Sequence, residues 1–217
     1  KQWSCPSSRC LDTVYASLWQ QVCAWQQTSS PVLIGIAGSN GSGKSTLVEW
    51  LRLLFIAKRL RCVTVSIDDF YLPLETRIHL SNTVHPLLKT RSAGTIDVDL
   101  LKKTLQALLC LSDQGSVNLP CFDKSMDDRV PDNKWAVISG PVDVVLWEGF
   151  CLSAIAQSPV DLLQPINRLE AEQDAQCIWR EYVNDQITAM QSCFDLIDYL
   201  VYVSVNSFSD VVKNRGR

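Results

Sequence analysis

Eight consecutive residues, Gly38-Ser39-Asn40-Gly41-Ser42-Gly43-Lys44-Ser45, limit what this chain can fold into more than any other stretch of it. Their spacing is G-x-x-x-x-G-K-[ST], and Thr46 follows. Residues 32–37 before them are continuously apolar, as a strand buried on both faces would be. Residues 46–58 after them carry the leucine spacing of a helix. In that context the glycines let the backbone curl so that successive N–H groups point inward at phosphate oxygens. The following helix adds its positive N-terminal end. Lys44 would reach the β- and γ-phosphates, and the Ser45 hydroxyl is placed to ligate magnesium. Gly38 through Thr46 are therefore candidate nucleotide-binding residues, with ATP and Mg2+ as the implied ligands.

The rest of the chain extends this unit. Residues 61–67 are β-branched and read as a second strand, so strand, helix and strand form a βαβ unit with a parallel sheet. Further helices are predicted over 10–27, 98–111 and 165–190, with a helix starting at 208. Further strands are predicted over 142–147 and 199–205. Residues 68–95 are rich in turn formers and are expected to line a site. Residues 116–141 are expected to be irregular, because Pro120, Pro131 and Pro141 interrupt them. The 217 residues suit one α/β domain, with residues 1–30 as a helical extension.

Composition narrows the partners. The formal charge is −3 and no block of lysine or arginine occurs, so a nucleic acid is not the expected partner. No apolar run approaches the roughly 18 residues of a membrane span. The nine cysteines are scattered without a C-x-x-C pair, which points to neither a zinc site nor a disulfide framework. A reducing, cytoplasmic setting is expected, as a monomer or homodimer. The chain begins at Lys1 rather than Met, so an N-terminal piece is expected to be missing, with an organellar setting the alternative if that piece carried a signal.

A phosphate cradle serves kinases, GTPases and motors alike. A GTPase would want N-K-x-D for guanine, but the only Asn-Lys pair, Asn133-Lys134, runs on to Trp135-Ala136. Transfer to an alcohol needs a group that orients the hydroxyl and accepts its proton. Asp68, at the C-terminal end of the second strand, is the candidate base. At that sheet edge ligands bind. Its neighbour Asp69 is a candidate for magnesium or for structure. Glu148, after the strand at 142–147, would emerge at the same edge and can reach magnesium. Lys124 and Arg129, in the mixed-charge run 122–129, could hold an anion. Read alone, His85 beside Pro86 is structural.

Five segments carry a resemblance: GSNGSGKST at 38–46, SIDDFYLP at 66–73, HPLLKTRSAGTIDVDLL at 85–101, LPCFDKSMDDR at 119–129 and VVLWEGF at 144–150. Together they resemble the phosphoribulokinase, uridine kinase and pantothenate kinase superfamily, and within it the D-glycerate 3-kinases. The resemblance implies a three-layer P-loop NTPase fold, an α/β architecture with a mostly parallel sheet and helices on both faces. It implies Asp68 as general base, Lys44 as catalytic partner and Glu148 with Ser45 as the magnesium-associated pair. It also implies an acceptor pocket that takes in the region from His85 to Asp97 and draws on Asp69, Tyr71, Lys124 and Arg129. Arg215 matches the first arginine of a lid helix, whose remainder is expected to be missing. The chain departs from its relatives at Ile96, where histidine is common, and at Cys121, where arginine is common. The leading expectation is a small-molecule kinase acting on a glycerate-like hydroxyl. The alternatives are kinases for nucleosides, pantothenate or sugar phosphates, and a nucleotide-binding module that has lost catalysis.

Overall fold

The structure is a computed structural model, and it describes residues 2–3, 11–27 and 31–205. Arg215 and the helix predicted from 208 lie outside the described residues.

Strand β1 (Gln2–Trp3) and helix α1 (Leu11–Gln26) precede β2 (Val32–Gly38), which leads through the glycine loop into α2 (Lys44–Ala57). Strand β3 (Cys62–Ser66) ends in a 3-10 turn over Ile67–Phe70, followed by α3 (Leu74–Thr83) and α4 (Val98–Leu109). Two short strand pairs come next, formed from β4 (Ser116–Leu119), β5 (Phe122–Asp123), β6 (Asp128–Arg129) and β7 (Ala136–Ser139). The chain then returns through β8 (Val144–Gly149), α5 (Pro159–Leu162), α6 (Arg168–Gln173), α7 (Ile178–Phe194) and β9 (Tyr199–Val203).

The main sheet has the order β1-β9-β2-β8-β3, and every neighbouring pair in it is parallel. Alternation along its strands sorts the core into two layers. Val32, Ile34, Ile36, Val144 and Leu146 face α1 and α2, meeting Leu18, Val22, Leu51 and Phe55. Leu33, Ala37, Val145 and Trp147 face the other way, toward Leu101, Leu105 and Leu108 of α4 and Ile187, Met190 and Phe194 of α7. The fold is therefore the expected three-layer α/β sandwich. Each such fully buried aliphatic or aromatic side chain contributes about 1.5–3 kcal/mol.

The same alternation places Glu148 on the face of β8 that looks toward α2, two residues past Leu146. That is how a strand-end carboxylate comes to meet the start of the phosphate helix.

Three expectations are corrected. Residues 68–95 contain a helix, α3, whose first N–H groups find their acceptor far away in sequence: Leu74 N donates to Asp128 Oδ1 at 2.8 Å. Residues 116–141 are not irregular, because β4 pairs with β7 and β5 with β6, both antiparallel. The helix predicted over 165–190 is broken. Cys177 adopts a left-handed φ of 64°, and α7 starts afresh at Ile178. Asp174 accepts from the backbone N–H of Trp179 and Arg180 at 2.8 and 3.1 Å, which makes it the cap of the new helix.

Candidate active site

At the C-terminal edge of the sheet the loop after β2, the turn after β3 and the end of β8 converge on one cleft of about 710 Å³. It is lined by residues 40–46, Ser66, Asp68, Tyr71, Arg91, Lys124 and residues 148–150.

The cradle owes its shape to backbone. Gly43 sits at φ 93° immediately before α2, a conformation that an L side chain rarely adopts. Gly38 packs so closely on β9 that a Cβ there would run into the Val203 carbonyl oxygen. Lys44 is buried, and its Nζ donates to the Ser39 carbonyl at 2.9 Å. Burial pushes its pKa down, while Glu148 and Asp68 pull it up and Lys124 adds to the lowering. The Ser39 and Ser42 hydroxyls are buried with no hydrogen-bond partner among the described residues. Ser42 lines the cleft, so its unpaired donor suits an incoming phosphate, which would satisfy it. Gly38 and Ser39 shape the loop from behind, and Asn40 through Thr46 line the cleft.

Glu148 gathers hydroxyls. Ser45 Oγ donates toward both of its carboxylate oxygens, at 3.1 and 3.2 Å, and Ser66 Oγ reaches Oε1 at 3.1 Å. This set of hard oxygen donors fits Mg2+, which takes one or two protein oxygens and completes its shell with phosphate and water. Ser66 was not singled out in the sequence, where nothing distinguishes it from any strand-end serine.

Asp68 stands in the 3-10 turn after β3, with its own N–H on Ser66 Oγ at 3.4 Å. Tyr71 OH donates to its Oδ1 at 3.3 Å, and Lys124 Nζ to its Oδ2 at 2.8 Å. Lys124 is 62% exposed, so this pair contributes at most about 1 kcal/mol and leaves the lysine able to swing to a ligand. Tyr71 is buried against Phe122, with ring centroids 5.5 Å apart. Burial, and then the neighbouring Asp68, raise its phenol pKa.

The remaining candidates lie off the cleft wall. Asp69 turns away and accepts from Phe122 N at 3.1 Å, and burial raises its pKa above the ordinary carboxylate value. It fastens the 119–129 segment to the end of β3. Asp97 caps α4 through Leu100 N at 3.1 Å and pairs with Arg129 Nη2 at 3.0 Å. Arg129 also donates to the Tyr71 carbonyl at 2.8 Å. His85 accepts from Leu87 N and sits 2.9 Å from the Gln173 carbonyl, tying its loop to the end of α6. Ile96 is buried and bridges Tyr71, so the departure at that position belongs to the core.

Two arginines not singled out in the sequence matter here, one of them, Arg91, inside the region 85–97 that the resemblance implied for the acceptor pocket. Arg77 is completely buried. It donates to the carbonyls of Leu72 and Lys89 at 3.1 and 2.7 Å and pairs with Asp127 at 3.2 Å. Arg91 lines the cleft itself. Nothing in the run Lys89-Thr90-Arg91 separates it from a solvated charge.

Comparison with known proteins decides the family. The model of the phosphoribulokinase / uridine kinase family matches residues 33–168, more than half of the chain. The chain belongs to this family. A chloroplastic D-glycerate 3-kinase of Arabidopsis thaliana is 34% identical over 170 residues, which are 71% of this chain and 36% of that protein. The uncharacterized kinase mug58 of Schizosaccharomyces pombe is 30% identical over 197 residues, 85% of this chain and 69% of that protein. This chain thus spans little more than a third of the Arabidopsis relative. A solved D-glycerate 3-kinase from Cryptococcus neoformans superposes with a TM-score of 0.75 at 25% identity, covering 96% of this chain and 78% of that one. A possible uridine kinase from Bacillus stearothermophilus shares the fold, with a TM-score of 0.53 at 16% identity. The chain carries the phosphate-binding loop of this family, and the kinases named above are its relatives. No helix among the described residues is long and apolar enough to cross a membrane.

Proposed function

We propose that this chain transfers the γ-phosphoryl group of ATP to a hydroxyl of D-glycerate or a closely similar hydroxy acid. The observation that carries the reading is the meeting of Lys44, Ser45, Asp68, Lys124 and Glu148 in one cleft. The names of the Arabidopsis and Cryptococcus relatives support glycerate as the acceptor.

Each side chain has a task that its position allows. The cradle N–H groups, with the Ser42 hydroxyl, hold the phosphates. Lys44 leaves the Ser39 carbonyl to neutralise the terminal phosphate, where negative charge gathers during transfer. Ser45 and Glu148 would hold Mg2+, which would supply positive charge to the phosphates. Asp68 orients the acceptor hydroxyl and takes its proton at a carboxylate oxygen as the oxygen attacks in line. Tyr71 keeps that carboxylate in place, and Lys124 moves from Asp68 toward the transferred group.

An ADP-release assay across D-glycerate, uridine, pantothenate and ribulose 5-phosphate ranks the acceptors. D-glycerate should lead. Asp68→Asn should lower turnover by about 10²–10⁴-fold while ATP affinity stays within a few-fold. Bound ATP with no acceptor-dependent ADP release would instead favour a nucleotide-binding module.

A further inference from the structure

We infer that Arg91 is the carboxylate anchor of the acceptor site, the residue that makes the enzyme select a hydroxy acid over a neutral alcohol. The inference rests on the kinase reading above, and it concerns which group of the acceptor is recognised and by what.

Arg91 enters the cleft from the segment between α3 and α4, on the acceptor side. Its place there is built. Nε pairs with Asp127 Oδ1 at 3.1 Å, and the guanidinium carbon lies 5.7 Å from the centroid of the Phe122 ring. Asp127 is itself held, because its other oxygen meets the buried Arg77 at 3.2 Å. Arg77 also approaches the Phe122 ring, at 5.6 Å. Phe122 is pinned in turn by Asp69, through its N–H, and by packing on Tyr71. Arg91 is thus fixed at its Nε by a network reaching back to the end of β3.

Charge and donor geometry say what that fixed group is for. Two guanidiniums, Arg77 and Arg91, share the single carboxylate of Asp127, which leaves one positive charge over. Arg77 is fully buried and its donors are occupied. The excess charge therefore faces the cleft on Arg91, whose side chain is 35% exposed. Its Nε is engaged, and its two terminal nitrogens have no partner among the described residues. That pair is the edge of the fork that grips a carboxylate in two parallel hydrogen bonds. Tyr71 stands close enough to feel the Arg91 charge, and its hydroxyl is on Asp68. A short acceptor laid over Tyr71 would place its carboxylate at Arg91 and its hydroxyl at Asp68.

The test compares D-glycerate with glycerol, which has the same three carbons and no carboxylate. Binding is measured by calorimetry with magnesium and a non-hydrolysable ATP analogue, and turnover by ADP release. In Arg91→Gln the Kd for D-glycerate should rise about 10–100-fold. Glycerol binding and the affinity for the ATP analogue should change less than about 3-fold. Arg91→Lys, which keeps charge but loses the fork, should recover only part of the loss. An unchanged glycerate Kd in Arg91→Gln, or an equal loss for the ATP analogue, overturns the inference. So does a wild type that binds glycerol as tightly as glycerate, and phosphorylation of glycerol would then leave the kinase reading standing. Glycerate bound through Arg91 without any ADP release would do the reverse, sinking the kinase reading and sparing the anchor.

Discussion

On the cradle side of the cleft, phosphate-facing groups are set by backbone geometry within nine residues, Gly38 to Thr46, and by one carboxylate on an adjacent strand. On the Arg91 side, the wall is backed by Asp69, Arg77, Phe122 and Asp127, joined by ion pairs and hydrogen bonds across some fifty residues of sequence. The first wall is thus local, with its lysine buried at some cost so that a ligand can use it. The second is long-range, with charges buried to hold the wall itself. Function and stability should separate accordingly.

The largest effect on stability is expected at Arg77→Ala. It strips the Leu72 and Lys89 carbonyls of a donor and leaves Asp127 with one partner fewer. Unfolding free energy in denaturant should fall by about 2–4 kcal/mol, from the stranded carbonyls and the cavity left behind, with nucleotide affinity of the folded fraction preserved. If Arg77→Ala melts like wild type, the wall is not held as described.

Lys44→Met should do the opposite. Turnover should drop about 10²–10³-fold, on the scale of losing one preorganised donor to developing charge. The apo protein should melt no lower than wild type, because burial already depresses the lysine pKa. A clear fall in melting temperature would mean that the cradle lysine serves the fold as well.

The smallest and sharpest test is Asp69→Asn, which keeps an acceptor for Phe122 N–H. At pH 7 it should lie within about 1 kcal/mol of wild type, since the amide oxygen keeps the hydrogen bond from Phe122 N–H and a buried carboxyl is exchanged for a neutral amide. Its pH dependence has a definite sign. The folded-state pKa of Asp69 is raised by burial, so the fold prefers the protonated form. The wild type should therefore gain on Asp69→Asn as pH falls through the folded pKa toward the unfolded value, and lose that gain as pH rises again. Parallel melting curves from pH 4 to 7 would contradict the buried placement.

The same contrast explains what could be read in the sequence. The cradle, the parallel sheet and the acids at two strand ends were legible, because each depends on residues adjacent in the chain or on a strand's period of two. Which aspartate of the Asp68-Asp69 pair faces the cleft was only partly legible. The pair is symmetrical in sequence, and Phe122, more than fifty residues later, is what claims Asp69. Helix α3 was missed because Asp128 supplies its cap. The break before α7 was missed because alternating apolar and polar residues continue across it while Asp174 accepts from the first turn of a new start. Arg77 was invisible, and Arg91 legible only as one member of the region 85–97, for a related reason: only the fold reveals that one is sealed in and the other left half-open over a ring.

The strand order carries a last consequence. Since β8 lies between β2 and β3, the loop that cups phosphate and the turn that bears Asp68 are two strand spacings apart, about 10 Å. Glu148 stands at the midpoint. Sheet hydrogen bonds act here as a ruler, so loops on the outer rim can be rewritten for a new acceptor without altering the reach from donor to base.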